Sequence, residues 1–296
     1  MNTIKTIAVV GATGHLAIPV LNALLANGFQ VKAVVRNPEK ARALLPAPVE
    51  IVKAELTDVA SLAAAFRKTD AVYINLSMEI TRTDLPFNTE REGVQNIVEA
   101  AKLNGVQQIL KIGALGSYPL ATHVSTNTAQ NTVRMQGHQI IAQSGIPFTI
   151  FHPSSFIDNL FWMMKNNKVR WIGKPVDHYW TNTVDYARQV VAAIGNPKAM
   201  NQHYAIQGTE RLSYLAIEDR LKKSFDPAFR IQATPVGMIS FMGLFHARMK
   251  FVGQLFRYFE NNPENFYGQQ AWDDLGKPVV SVEELAAVLQ PETVAA

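Results

Sequence analysis

The sequence predicts an α/β fold, a doubly wound parallel sheet with a smaller, mostly helical lobe contributed by the C-terminal half. Three observations predict it. Short apolar runs alternate with amphipathic helical patterns through the first half of the chain. The first run passes directly into a turn of small residues and then into a helical pattern. After about residue 155 that rhythm stops, and aromatic residues and methionines become dense.

Taken in order, residues 4–10 form the first expected strand. The turn after it reads Gly11-Ala-Thr-Gly-His-Leu-Ala17, a Gly-x-x-Gly-x-x-Gly/Ala spacing. Gly11 permits a tight exit from the strand, Gly14 lets backbone approach a diphosphate, and Ala17 is small enough for the helix to pack on the strand. Backbone N–H groups at the helix start then face the phosphates, and the helix dipole favours their charge. Pro19 falls early in that helix, where a missing N–H costs little.

Further strands are expected at residues 31–35, 49–52, 71–75, 108–112 and 148–151. A helix opens at Thr57-Asp58, an N-cap followed by alanine-rich sequence. Another carries Val94, Ile97, Val98 and Ala101 at helical spacing and stops at Asn104-Gly105. A third covers residues 128–143 and stops at Ser144-Gly145. Short apolar strands between helices call for a parallel sheet covered on both faces, of Rossmann type, with a ligand at the carboxyl ends of the strands. The expected division is a dinucleotide-binding core over residues 1–154 and a mixed region over 155–296. The latter completes the core and forms a substrate lobe, where Phe156, Trp162, Met163, Trp171, Phe241 and Phe245 read mainly as packing, with a few residues lining a pocket.

The composition narrows the function classes. The chain has 296 residues, 48% of them hydrophobic, and no cysteine, so disulfides, thiolate nucleophiles and Cys-ligated metals are excluded. No metal site is expected. The formal net charge is +4, but the basic residues are scattered and form no stripe for nucleic acid. The early apolar stretch is broken by glycines and a histidine and does not read as a secretory signal. Residues 238–256 are apolar but carry His246, Arg248 and Lys250, which disqualifies them as a bilayer-spanning helix. A cytoplasmic protein with neither a nucleic-acid nor a membrane partner is the expectation. No Gly-x-Ser-x-Gly or His-Glu-x-x-His supports a serine hydrolase or zinc protease.

The exit from the second strand selects the cofactor. NAD sites place an acid there for the ribose 2′-hydroxyl, whereas NADP sites use an arginine. Here the segment reads Val35-Arg36-Asn37-Pro38-Glu39-Lys40, with Arg36 at the acid's position and Lys40 one helical turn on. A guanidinium matches a phosphate by paired hydrogen bonds, so NADP(H) is expected.

These segments resemble the NmrA-like family of atypical short-chain dehydrogenase/reductases. The resemblance rests on the N-terminal turn, the second-strand exit, Glu55-Leu-Thr-Asp58, Ser144-Gly-Ile-Pro-Phe-Thr-Ile150, Pro153-Ser-Ser-Phe-Ile-Asp-Asn159 and, near the C-terminus, Asp274-Leu-Gly-Lys-Pro278 followed by Ser281-Val-Glu-Glu-Leu285. It departs from the family at Glu55, where Asp is commoner. The resemblance implies that Gly11, Thr13, Gly14, His15 and Leu16 cradle the diphosphate and that Arg36 holds the 2′-phosphate. Leu56 would border the adenine, Leu76 and Ser77 the ribose side, and Pro153 and Phe156 the nicotinamide.

Short-chain dehydrogenases carry Tyr-x-x-x-Lys on the helix after the fifth strand. Here Gln130 and Arg134 stand at those positions, on one helix face with His138. Gln130 exchanges no proton, and Arg134 stays charged, suited either to a ribose contact or to solvent. Tyr118 and His123, in the loop after the fifth strand, are the acid candidates left, and His152 after the sixth strand reads as structural; no catalytic residue is assigned. Reducing a ketone leaves an alkoxide, which needs a placed acid. Reducing a quinone leaves a phenolate-like anion that solvent protonates afterwards, so orientation in a flat apolar slot suffices.

The leading expectation is therefore an NADPH-dependent oxidoreductase of quinones or other conjugated carbonyls. The alternative is a catalytically silent NADP(H)-sensing regulatory protein with a protein partner. An isomerase or epimerase with a retained cofactor ranks third, because it needs proton transfers the helix does not supply.

Overall fold

The structure is a computed structural model and describes residues 3–77, 85–121 and 129–289. The chain alternates β1 (Thr6–Val10), α1 (Ala17–Ala26), β2 (Gln30–Val35), α2 (Pro38–Arg42), β3 (Glu50–Lys53), α3 (Val59–Ala65) and β4 (Ala71–Ile74). It continues with α4 (Val94–Leu103), β5 (Gln108–Ile112), α5 (Ala129–Ala142), β6 (Phe148–Pro153), α6 (Asp158–Trp162), β7 (Lys168–Ile172), α7 (Thr183–Ala193) and β8 (Gln202–Ile206). The remainder is α8 (Tyr214–Ser224), β9 (Arg230–Thr234), α9 (Val236–Met242), α10 (Ala247–Asn261), α11 (Gln269–Leu275) and α12 (Val282–Val288).

Seven strands form one sheet in the order β3-β2-β1-β4-β5-β6-β8. β1 pairs parallel with both β2 and β4, in register Thr6↔Gln30 and Ile7↔Ala71. Strand order therefore reverses at β1/β4, which opens a crevice at their carboxyl ends. β1, β4, β5 and β6 are buried along their whole length, as continuous apolar runs between two helical layers should be. Under one face Val10, Val34, Val72, Ile74, Ile97 and Ile109 belong to a single packed cluster.

The expected strands and helices appear with small shifts. β1 starts at Thr6 rather than residue 4, because the N–H groups of Lys5 and Thr6 donate to the Asp70 carboxylate, both at 2.8 Å, before the ladder with β4 begins. Two features have weak sequence signals. β8 joins the sheet beyond β6, with Asn201 N–H donating to Phe148 O (2.6 Å) and Ser154 N–H to Ile206 O (2.9 Å), so both strands run the same way. β7 and β9 form a separate parallel pair in which only Val169 and Ile231 are buried, too few to show a period of two.

By internal contacts the chain forms two compact units. The first comprises Met1–His152, Tyr186–Ala205 and Gln270–Gly276. The second comprises Pro153–Asp185, Ile206–Gln269 and Lys277–Ala296, and so holds the small β7–β9 sheet as well as helices. Its core gathers Ile157, Leu160, Val169, Trp180, Ile217, Leu221 and Phe229.

Candidate functional site

The crevice in the first unit is a cleft of about 730 Å³, floored by Val10, Val34, Ala54 and Leu62. Its rim combines three loops. The turn after β1 enters at Gly11, with φ +78°, and a Cβ built there would lie 1.9 Å from the Asn75 carbonyl oxygen beyond β4. A Cβ at Gly14 would lie 2.7 Å from the Asn75 side-chain nitrogen. The turn thus rests directly on the end of β4, which only glycine allows. Gly14 N–H bonds back to Gly11 O (3.1 Å), and Ala17 N–H and Ile18 N–H to Gly14 O (2.9 and 3.1 Å). The N–H groups of Thr13 and Leu16 meet no acceptor among the described residues. α1 has no side-chain cap and no acid in its first turn. The head of the helix therefore offers no acid of its own in place of an anion.

At the second loop Arg36, Asn37 and Lys40 line the cleft. Asn37 caps α2 by accepting from Lys40 N–H at 3.1 Å. The nearest acid in sequence, Glu39, pairs instead with Arg42. Arg36 and Lys40 have no carboxylate partner among the described residues and are both exposed, so two uncompensated cations face the same space. The third rim is Glu55-Leu56-Thr57, fixed by Asn96 Nδ2 donating to Leu56 O (2.7 Å). Beyond β4, Ser77 O accepts from Thr89 Oγ1 (2.7 Å), so Leu76, Ser77, Phe87 and Thr89 close the far wall. An apolar slot, free amides at a helix head and two unpaired cations are what a phosphorylated dinucleotide requires.

Of the residues expected from sequence, Gly11, Thr13, Gly14, Arg36, Leu56, Leu76 and Ser77 meet in this cleft. His15 and Leu16 stand at the head of α1, outside its lining. Pro153 ends β6, and Phe156 is buried in the second unit, where its backbone bridges to Thr181. His123 and the side chain of Gln130 lie outside the described residues. Asn37, Asn75, Phe87 and Thr89 were not anticipated. Asn75 had a signal, since it follows β4 at the switch point; Phe87 and Thr89 had none.

Behind β5 lies a buried polar cluster. Lys111, fully buried in β5, pairs with Glu90 at 2.6 Å, and Arg134 approaches the same carboxylate at 3.6 Å. Arg134 also donates to Asn131 Oδ1 at 3.3 Å. Glu90 sits in a π-helical turn, Thr89–Gly93, that leads into α4. A Cβ at Gly137 would lie 2.0 Å from the Glu90 carbonyl, so α5 packs hard against that turn. The sequence signs of this network were a lysine within a mainly apolar strand and the shared helix face of Arg134 and His138.

Three imidazoles complete the cluster. His152 Nε2 lies 2.9 Å from His203 Nδ1, and its Nδ1 contacts Ala114 O (3.1 Å) and Ser117 Oγ (3.2 Å). His138 meets His152 edge-on, with ring centroids 5.2 Å apart. Tyr118 is buried with its ring 5.4 Å from that of His152, so this acid candidate is packed away from solvent. Burial holds all three imidazoles below the usual histidine range, reinforced for His138 and His152 by Lys111 and by neighbouring imidazoles.

This sets a pH dependence. The unfolded chain protonates these histidines near pH 6.5, whereas the folded chain does not. Their stabilising contribution is therefore complete above about pH 6.5 and is lost as pH falls below it. For the two most buried, His138 and His152, the slope approaches roughly 3 kcal/mol per pH unit as an upper bound. Thermal melts at pH 7 and 5.5 should show a clear fall in Tm, reduced in His152→Gln; equal melting points at both pH values would contradict neutral buried imidazoles.

The second unit has its own pocket of about 350 Å³. Trp171, Trp180, Phe256 and Phe259 supply flat apolar walls, and Lys174 and Glu260 supply charge. Glu260 accepts from Lys174 N–H at 2.8 Å.

Comparison with known proteins agrees with the cleft. A model of the NAD(P)H-binding family matches residues 11–197. The chain is 26% identical over 214 residues to the NAD(P)H azoreductase of Xenophilus azovorans, covering 70% of this chain and 69% of that protein. It is 28% identical over 156 residues to Quinone oxidoreductase 2 of Escherichia coli (strain K12), a match spanning 52% of this chain and only 50% of that one. The crystal structure of the NADPH-dependent quinone oxidoreductase QOR2 from Escherichia coli superposes with a TM-score of 0.72 at 18% identity, over 96% of this chain and 99% of that chain.

Proposed function

This chain belongs to the NAD(P)H-binding family, and from that premise we propose that it is an NmrA-like atypical short-chain dehydrogenase/reductase that uses NADPH to reduce quinones or other conjugated carbonyls. The observation that carries the cofactor choice is the pair of exposed, carboxylate-free cations, Arg36 and Lys40, at the second-strand exit. An acid there would favour the ribose hydroxyl of NAD. The amides of Thr13 and Leu16 would hold the diphosphate, Leu56 the adenine, and Leu76 and Ser77 the ribose side. Arg134, aligned by Glu90 and Asn131, would hold a ribose hydroxyl.

A nicotinamide held here would supply a hydride. The chain's own contribution is to bind, orient and exclude water. Gln130 stands where a proton-donating tyrosine is usual, and Tyr118 is buried against His152. An acceptor whose reduced form is a stabilised anion needs no such donor. The aromatic walls of the second unit's pocket suit planar conjugated molecules. The names of the azoreductase and quinone oxidoreductase relatives agree with that acceptor class.

The test is NADPH oxidation against a panel of quinones, enones, an azo dye and simple ketones. Turnover is expected with at least one quinone or enone and not with simple ketones. Tight NADPH binding with no turnover anywhere in the panel would reject the reductase. That result would favour the second reading, an NADP(H)-sensing binding protein, which Gln130 in place of tyrosine supports. A sensor of redox state must bind NADP⁺ and NADPH with different affinities, so equal dissociation constants would remove it in turn.

A further inference from the structure

The segment excluded above as a membrane-spanning helix folds into a helical hairpin within the second unit. α9 and α10 cross closely because a Cβ at Gly243 would lie 2.7 Å from Lys250 Cα, and one at Gly253 would lie 3.0 Å from Ser240 Oγ. Arg257 donates to the same Ser240 Oγ at 2.9 Å, tying the far end of the pair. The tight crossing pushes large side chains outward at the connecting turn. Leu244 and Phe245 are 74% and 73% exposed, Phe241 is 65%, and Met238 and Met242 are 57% and 42%. Five large apolar side chains within eight residues form a contiguous exposed patch, whereas single exposed apolar residues would need no explanation.

The charge around the patch is one-sided. Residues 236–259 contain Arg248, Lys250 and Arg257, with His246, and no Asp or Glu. Arg248 and Lys250 are exposed and pair with no carboxylate among the described residues. Both lie in the first turn of α10, within about 5 Å along the helix axis from its start and so next to the apolar tip. Apolar knobs surrounded by unpaired cations complement an anionic lipid interface, with the knobs among the acyl chains and the cations at the phosphates. The cations that forbid a spanning helix are the ones a helix lying in the interface needs.

We propose that the α9–α10 hairpin docks the protein peripherally on anionic phospholipid membranes. This goes beyond the sequence-based expectation of no membrane partner, without a spanning helix, and it is independent of the cleft in the first unit, which none of these residues lines. A soluble partner with an acidic groove or a second copy of the chain would need apolar complementarity of its own, and for a second copy the unpaired cations would face one another.

The experiment is co-sedimentation of the full-length protein with vesicles of phosphatidylcholine alone or mixed with phosphatidylglycerol. Binding is expected to the mixed vesicles only and to weaken steeply with salt. Phe241→Ser with Phe245→Ser should lower partitioning by about tenfold per residue. Arg248→Ser and Lys250→Ser should each lower it by about fivefold. NADPH affinity and the circular dichroism spectrum should be unchanged in all three variants, since every substituted site is exposed. Absence of binding to the mixed vesicles at physiological salt would overturn the proposal. So would full binding by the Phe241→Ser/Phe245→Ser variant, or a concentration-dependent dimer that this variant abolishes while vesicle binding stays nil.

Discussion

Gly11→Ala is expected to lower the first thermal transition by roughly 10 °C and to weaken NADPH and NADH binding equally, each by more than about tenfold. Two costs combine at this position. At φ +78° an alanine pays a left-handed backbone penalty of about 1–2 kcal/mol. Its Cβ would also lie 1.9 Å from the Asn75 carbonyl oxygen. That oxygen belongs to the backbone just beyond β4, whose register with β1 is fixed by parallel pairing, so it cannot rotate away as a side chain would. Relief requires the turn to lift off β4, which displaces Thr13 from the cleft lining and shifts the head of α1 with it. The total is on the order of 4 kcal/mol. Differential scanning calorimetry and calorimetric titration read both effects. Wild-type melting together with wild-type affinity would mean that the turn does not rest on Asn75.

Arg36→Ala should act in the opposite pattern. It is expected to lower NADPH affinity about 30-fold, equivalent to about 2 kcal/mol, while NADH affinity changes by less than about threefold and Tm does not move. The side chain is exposed and has no carboxylate partner among the described residues, so its loss should leave stability unaffected. Lys40 remains on the same rim and retains part of the attraction to a 2′-phosphate, which keeps the loss below that of a buried phosphate clamp. Arg36→Lys should recover only part of the loss, because an ammonium cannot offer paired donors in one plane. If NADH and NADPH bind the wild-type protein equally well, or if Arg36→Ala weakens both alike, the cations at the β2 exit do not read the extra phosphate. Together the two substitutions separate loop geometry from charge recognition.

The sequence made the candidate cleft at the β1/β4 switch legible where local chemistry is enough. The Gly11/Gly14/Ala17 spacing, the strand before it and Arg36 after β2 each lie within a short segment, and parallel topology then dictates where those segments end. Six of the seven sheet strands were legible as short, mainly apolar runs; four of them, β1, β4, β5 and β6, are buried along their whole length. The cation-bearing apolar stretch was also visible as unsuited to span a bilayer.

Only tertiary structure decided what depends on contacts distant in sequence. Phe87 and Thr89 close the cleft because the π-helical turn packs against α5 at Gly137, a contact between residues far apart in the chain. β8 and the β7–β9 pair form because neighbouring strands supply hydrogen-bond partners, not because their own residues show a period. Lys111 finds Glu90, and His138, His152 and His203 come within ring contact, only after β5, β6, β8 and α5 are side by side. Exposure of the α9–α10 tip follows from how closely two glycines let those helices cross. In each case the sequence determined which groups were available, and the fold's three-dimensional packing determined which of them met, because burial and pairing energies are properties of neighbours that the linear chain does not specify.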